Sequence, residues 1–344
     1  MAGDAALRDF ALGTFSVAGG IPFAGIVTGE RVIAVRAANA HVDALGGGIL
    51  GADTVLGVLD HWPTNFPVLR RFADATRSGP LAERLQALSA PLDQLRVHPP
   101  VERPRNVFCA GMNYRKHVID LIMSQSAKAA EPGKSDAERR AEAERTMDVR
   151  AASGEPFVFQ KATSAVVGPF DDVPLPDGIA RPDWELELAA VIGRPARHVT
   201  RAEALGCVAG YAVANDVTAR DRVPHKEMRF DWLKGKSQPG FLPFGPYLVP
   251  AAFVPDPQDL HLTLKLNGDV MQDETTADML FGVARQIEYL SAHVQLLPGD
   301  VIATGSPAGN GAHHNRFLRP GDVMEASITG LGTQRNRCAA EAHA

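Results

Sequence analysis

Glu185 and Glu187 stand two residues apart in the stretch Asp183-Trp-Glu-Leu-Glu-Leu-Ala-Ala-Val-Ile-Gly193. In a strand, side chains i and i+2 share a face. This spacing therefore aims both carboxylates one way, while Leu186 and Leu188 point the other. Two like charges side by side repel, and relief comes from a cation, a shared proton or bulk solvent. The strand continues as Ala189-Ala190-Val191-Ile192, an apolar run that argues for burial, and buried unpaired carboxylates are costly. A divalent cation would meet that cost, and all-oxygen ligands favour a hard ion such as Mg²⁺ or Mn²⁺. The competing reading is an edge strand with both glutamates in water.

A third acid, Asp216, follows the strand-like run Tyr211-Ala-Val-Ala-Asn-Asp. At the end of such a strand it could complete a three-carboxylate set, or it could cap a turn or helix. Lys161, Arg220, Lys236, Thr304 and His117 also lie in apolar or glycine-rich context. A lysine or arginine there could hold a substrate carboxylate or a developing enolate. His117 titrates in the range suited to proton transfer. Each of these, taken singly, also suits a structural or solvent-facing role.

The elements that must position these groups are short. Glycine (32) and proline (25) are abundant in the 344 residues and aromatics are few, which predicts many turns and strands rather than a helical bundle. Phe23 to Val35 reads as a hairpin turning at Thr28-Gly29-Glu30. Residues 65 to 90 read as helical, broken at Ser78-Gly79-Pro80, with Leu69, Phe72, Leu81, Leu85 and Leu88 as buried positions. Pro99, Pro100 and Pro104 mark a linker, so a small N-terminal α+β domain is expected over 1–100 and a second domain over 105–340. The second opens with a strand from Val107.

Residues 121–155 read as a helical insertion, either a lid or a surface excursion, with Ser135 and Glu138 spaced as a capping box. Gly133 and Lys134 flank it on one side and Gly154 on the other. Beyond it come strands at 186–192, 262–266 and 301–304. Asn267-Gly268 marks a hairpin, and helices are expected at 201–205 and 277–291. In the last helix, Met279, Val283, Ile287 and Leu290 form a core-facing stripe.

The charge pattern bounds the partners. A net charge of -5 gives no nucleic-acid footprint, and Arg139 and Arg140 alternate with glutamates as on a solvated helix face. Three cysteines without CxxC spacing suit a reducing compartment rather than a disulfide scaffold. The opening Met-Ala-Gly-Asp-Ala-Ala lacks a basic, then apolar, leader pattern, and no run of about 18 apolar residues occurs. A cytoplasmic, membrane-free protein is expected.

Several ordered stretches together resemble the fumarylacetoacetate hydrolase family. They are Gly111-Met-Asn-Tyr-x-x-His117; Phe157-x-Phe-x-Lys161 with Gly168-Pro169; Asp183-x-Glu-x-Glu-Leu to Ile192-Gly-Arg194; and Asn215-Asp-Val-Thr-Ala-Arg-Asp221. Lys236-Ser237 with Pro243-x-Gly-Pro246, Pro298-Gly-Asp-Val-Ile-Ala-Thr-Gly-Ser-Pro-Ala-Gly309 and Pro320-Gly-Asp-Val323 complete them. The resemblance covers roughly 105 to 337. It implies a mixed, mainly β fold, a twisted β-roll, with homodimers common. It implies a metal (Mg²⁺, Mn²⁺ or Ca²⁺) at Glu185, Glu187 and Asp216, and a substrate site including Lys161, Arg220, Lys236 and Thr304. The substrate expected is a small 2-oxo acid.

The leading expectation is hydrolysis of a C–C bond in an acylpyruvate-like 1,3-dicarbonyl acid, with His117 activating water and Lys236 and Arg220 stabilising negative charge. Decarboxylation, tautomerisation or hydration at the same site is the alternative, and a non-catalytic metal-stabilised binding protein is a third. Two departures stand out. The family's His-x-x-Glu is here His117-x-x-Asp120, one methylene shorter. Val223 stands where fumarylacetoacetate hydrolases proper carry a glutamine of the oxyanion site.

Overall fold

The computed structural model describes residues 9–129 and 134–341. The opening hexapeptide, read above as lacking a leader pattern, and Gly133, a flank of the insertion, lie outside them. The fold is mixed and mainly β, a twisted roll of three principal sheets. Among the described residues no helix is long and apolar enough to cross a membrane.

The N-terminal part builds a five-stranded sheet around the antiparallel strands Ala11–Ser16, Phe23–Thr28 and Arg31–Ala34. The expected hairpin forms, with Thr28 opposite Arg31 and Gly29 at φ +59° in the turn. Helices Trp62–Arg77 and Ala82–Ala87 follow, separated at the Ser78-Gly79-Pro80 break. Leu69, Phe72 and Leu85 are buried as expected. Leu88 is instead 57% exposed and Leu81 only partly buried, because the second helix ends at Ala87 and turns out toward the short strand Ala90–Pro91.

The second part holds the sheet that matters for chemistry. Its strands run in the order Val249–Pro250, Val208–Asn215, Leu186–Ile192, Val301–Ala303, Val107–Gly111 and Phe157–Lys161. The expected alternation is visible in the core. Leu186, Leu188, Ala190 and Ile192 enter one apolar cluster, which also holds Val213 and Ile302. Ala189 and Val191 enter another, together with Trp62, Leu69 and Phe72 of the N-terminal helix. Both faces are therefore dry, as a strand with no polar residue beyond Glu187 requires. The Leu12–Leu248 bridge further joins the N-terminal sheet to this one.

A third sheet contains the hairpin His261–Leu266 and Asp269–Thr275, turning at Asn267-Gly268 as expected. The helix expected over 277–291 begins only at Val283 and ends at His293. Residues 276–278 form a 3₁₀ turn instead, and 279–282 run as a connection. Val283, Ile287 and Leu290 are buried in the core, with Met279 half-buried against it.

The insertion is a helical hairpin. Helix Arg115–Ala129 starts just after the Val107–Gly111 strand, and helix Asp136–Ser153 returns along it. Ser135 and Glu138 make the reciprocal capping box that their spacing predicted. The hairpin has its own small apolar cluster of Val118, Ile119, Ala143 and Met147, which reaches the body through Leu280.

Candidate active site

Strand pairing brings the three acids together. Leu186 pairs with Asn215 across the antiparallel ladder, and the register carries one step further, with Asp216 N donating to Glu185 O at 2.8 Å. Glu185 and Glu187 are on one face by the strand period, and Asp216 arrives from the neighbouring strand. Carboxylate oxygens of the three lie within 4.8 Å of one another, and all three residues are buried. The metal reading of the spacing, rather than the solvated edge strand, fits this arrangement.

Two lysines reach the same cluster from separate elements. Lys161 ends the Phe157–Lys161 strand; its Nζ donates to Asp216 Oδ1 at 2.6 Å and to the carbonyls of Val217 (3.0 Å) and Phe241 (2.5 Å). Lys236 ends the short helix Trp232–Lys236, capped by Asp231, which accepts from Lys234 N. Its Nζ donates to Glu185 Oε2 and Asp216 Oδ2, each at 2.5 Å. Trp232 stacks on Phe159 with centroids 5.0 Å apart, which fixes this helix on the strand that carries Lys161. Gly235 is required beside Lys236, since a Cβ there would stand 2.3 Å from Val223 Cγ2. Val223, which has no donor, thus serves as packing under the Lys236 helix.

Arg220 links an outer acid to the cluster. Its Nε donates to Asp183 Oδ2 at 2.8 Å and its Nη2 donates to Glu185 Oε1. Asp183 is fully buried and also accepts the N–H groups of Gly311 and Ala312 (Ala312 at 3.1 Å), at the start of the helical turn Gly311–His314. The sequence reading quoted Asp183 within its motif without giving it a role. Its position two residues before Glu185, on the same face, was the available signal.

These contacts set the protonation states. Burial alone would raise Glu185, but Arg220 and Lys236 outweigh it and hold its carboxyl well below the usual range. Burial opposes the charge on Lys236, but Asp216 and Glu185 outweigh it and push its ammonium up. Glu187 is the exception. Burial, then Asp216 and Glu185, drive its carboxyl well above the usual value. Among the described residues it makes no ion pair; it accepts the Gly305 N–H at 2.7 Å. Gly305 sits at φ +101°, and a Cβ there would meet Asn113 Cβ at 2.7 Å, so glycine is needed to present that N–H. A buried carboxylate with two like neighbours and no cation of its own fits a divalent ion at Glu185, Glu187 and Asp216.

The remaining expected residues divide. His117, in the first turn of helix Arg115–Ala129, lies within electrostatic reach of the cluster: the charges acting on it are those of Glu185, Arg220, Asp120 and His313. Burial dominates and lowers its pKa from 6.5, so the ring is neutral at pH 7 and able to accept a proton. Asp120 lies one turn along the same helix, and its ion pair is with Arg140 of the second insertion helix at 3.6 Å. Thr304 is buried, but its hydroxyl donates to Leu188 O at 2.8 Å and so braces the Glu187 strand. Asn113, quoted only within a motif, donates to the carbonyls of Phe281 and Thr304 at 3.0 and 2.7 Å and thereby ties the base helix to this wall.

Comparison with known proteins agrees with this geometry. Residues 106–339 match the family model described as fumarylacetoacetate (FAA) hydrolase C-terminal. A 2,4-didehydro-3-deoxy-L-rhamnonate hydrolase of Sphingomonas sp. (strain SKA58) is 45% identical over 53% of this chain, which spans 65% of that protein's length. A mitochondrial oxaloacetate tautomerase of Homo sapiens is 34% identical over 85% of this chain and 84% of its own length. Among solved structures, a fumarylacetoacetate hydrolase from psychrophilic Exiguobacterium antarcticum is 29% identical. It superposes with a TM-score of 0.70, covering 96% of this chain and all of that one.

Proposed function

Because this chain belongs to the fumarylacetoacetate hydrolase family, we propose that it is a metal-dependent hydrolase that cleaves the C–C bond of an acylpyruvate-like 1,3-dicarbonyl acid. The observation that carries this reading is the buried cluster of Glu185, Glu187 and Asp216, with His117 close enough to feel the charges of Glu185 and Arg220. Mg²⁺ or Mn²⁺ held by these three carboxylates would polarise a 2-oxo group and favour its enolate.

The chain's own groups account for the other demands of the reaction. His117 takes a proton from water, and the hydroxide adds to the carbonyl distal to the 2-oxo acid. The bond between that carbon and the adjacent methylene breaks. Its electron pair goes to the pyruvate enolate, and the distal carbonyl carbon leaves as a carboxylic acid. The proton held by His117 is returned to the enolate carbon. Lys236 and Arg220 supply fixed positive potential beside Glu185, where the enolate charge develops. Lys161 holds Asp216 in place from behind. The name of the Sphingomonas relative supports the substrate class, since a 2,4-didehydro-3-deoxy acid has oxo groups flanking one methylene.

Tautomerisation of oxaloacetate is the second reading. It is favoured by the length of the match to the human tautomerase and by the ion pair of Asp120 with Arg140; among the described residues His117 makes no hydrogen bond to a carboxylate. Product analysis separates the two. Protein stripped by chelator and reloaded with Mg²⁺ or Mn²⁺ is given acetylpyruvate, fumarylpyruvate and oxaloacetate. Pyruvate plus a second carboxylic acid is the expected result. Enol–keto exchange of oxaloacetate with no C–C cleavage would replace the hydrolase reading by the tautomerase one.

A further inference from the structure

Helix Arg115–Ala129 delivers His117 from its first turn, where backbone N–H groups lack intrahelical partners. The residue just before the helix is Tyr114. Its side chain is fully buried and, among the described residues, its hydroxyl has no hydrogen-bond partner, so it offers no cap to the turn. Serine, threonine, aspartate or asparagine would be the usual solution at that place. Here an acid arrives from the other end of the domain instead. Asp278 Oδ2 accepts the Lys116 N–H at 3.0 Å, across 162 residues of sequence.

The same segment grips the turn at further points. Glu274 Oε2 accepts from Lys116 Nζ at 2.5 Å. Tyr114 forms an isolated antiparallel bridge with Met279. Leu280 N donates to Asn113 O at 2.7 Å, and the Asn113 side chain both donates to Phe281 O and accepts from Phe281 N. Residues 274–281 therefore clasp 113–116, and Leu280 of the same segment packs against the insertion's apolar cluster. The 3₁₀ turn Thr276–Asp278 is what displaces the start of the following helix to Val283, and it places the Asp278 carboxylate against the turn.

We propose that Asp278 is a positioning residue for His117: a cap supplied in trans that fixes the first turn of the base helix over the carboxylate cluster. The inference rests on the reading of His117 as the base. Asp278 touches no reacting atom. It acts by fixing the backbone one residue before the imidazole, where a displacement of about 1 Å can cost on the order of 100-fold in rate. Its negative charge also suits a helix N-terminus.

The test uses the full chain loaded with Mg²⁺ and the variants Asp278→Ala, Asp278→Asn, His117→Ala and the Asp278→Ala/His117→Ala double mutant. Amide exchange of 114–123 reports the clasp without any substrate. It is expected to speed up about fivefold in Asp278→Ala, the effect of a lost cap. With acetylpyruvate, kcat is expected to fall about 10- to 100-fold with KM and Mg²⁺ affinity within about twofold. Asp278→Asn, whose amide oxygen still accepts from Lys116 N, restores most of both. In the His117→Ala background, Asp278→Ala adds less than about twofold. Unchanged exchange in Asp278→Ala overturns the clasp. Faster exchange with wild-type kcat, or an equal loss with and without His117, overturns the positioning role. Wild-type turnover by His117→Ala would instead sink the reading of His117 as base, and the exchange data would then decide the clasp alone.

Discussion

The carboxylate floor and the helical hairpin above it are built on opposite principles. The floor lies between two large apolar clusters; Glu187, Asp216, Lys161 and Lys236 are each no more than 2% exposed. Apart from Glu187, which accepts the Gly305 N–H, its charges are held by several hydrogen bonds apiece, so their geometry is over-determined. The hairpin rests on a four-residue buried cluster of its own and on largely exposed ion pairs such as Arg115–Asp148 and Lys134–Glu142. Exposed pairs of this kind contribute little. The charged floor is therefore rigid, while the helical pair that carries His117, the proposed base, is tied down chiefly at its first turn. Elements of that kind are the ones that open locally. A site of this design can fix its electrostatics in advance and still admit a substrate past the base.

The comparison is broken most severely at the floor. Glu187→Gln removes one of the three proposed metal ligands and is expected to lower Mg²⁺ affinity at least about 100-fold and turnover about 1,000-fold or more. Titration calorimetry and steady-state rates measure these. Because Glu187 is a buried carboxyl with like-charged neighbours, the metal-free variant should melt no lower than the wild type in chelator. A drop in Tm would mean that Glu187 is structurally paired and that the floor is not a metal site. Glu185→Gln is expected to match it in activity but to lose stability as well, since Arg220 and Lys236 are left without their shared acid.

His117→Ala strikes the hairpin. C–C hydrolysis should fall about 100- to 10,000-fold, as for a lost general base, with Mg²⁺ affinity unchanged. The pH profile sharpens the point. Burial depresses the His117 pKa, so its neutral form persists to lower pH than in a free histidine. Hydrolysis is then lost as pH falls, with its acid midpoint below 6.5. A midpoint above 6.5 that moves with Asp120→Asn would place a carboxylate in command of the ring.

Met147→Ala tests the small cluster. Removing a buried Met side chain costs about 2 kcal/mol, and here the loss should appear as faster amide exchange across both insertion helices with little change in the global melt. A matching fall in Tm would show the hairpin and the floor to be one cooperative unit. The smallest effect is expected of Ser135→Ala. It opens the capping box of helix Asp136–Ser153, so exchange in that helix's first turn should rise a few-fold while turnover stays within about twofold.

Much of the floor was legible because strand geometry is local. The two-residue spacing of Glu185 and Glu187 put them on one face, and the apolar run to Ile192 announced burial. Thr28-Gly29-Glu30, Asn267-Gly268 and Ser135 with Glu138 signalled their turns and cap for the same reason. The helix start at 283 was misjudged because the apolar stripe reaches back to Met279, while residues 276–281 are held as a 3₁₀ turn and a connection by Leu260, Asn113 and Gln258. Leu88 looked buried by periodicity, which is silent about where a helix stops. Asp183 stood in its motif without a role because its spacing from Glu185 shows a shared face but not the arginine 37 residues away with which it pairs.

By itself the sequence determined which side chains share a face and which residues turn or cap the chain, since both depend on backbone geometry over a few residues. Through the chemistry of three acids in apolar strands it also pointed toward a hard cation, a reading that the buried cluster fits. Only the tertiary structure decided how the charges pair. It gave Lys161 to Asp216 across 55 residues, shared Lys236 between Glu185 and Asp216, and left Glu187 without a cation of its own. It also set Asp278 against the turn that carries His117. Coulomb energies and hydrogen bonds depend on distances through space, and those distances exist only once the sheets have closed on one another.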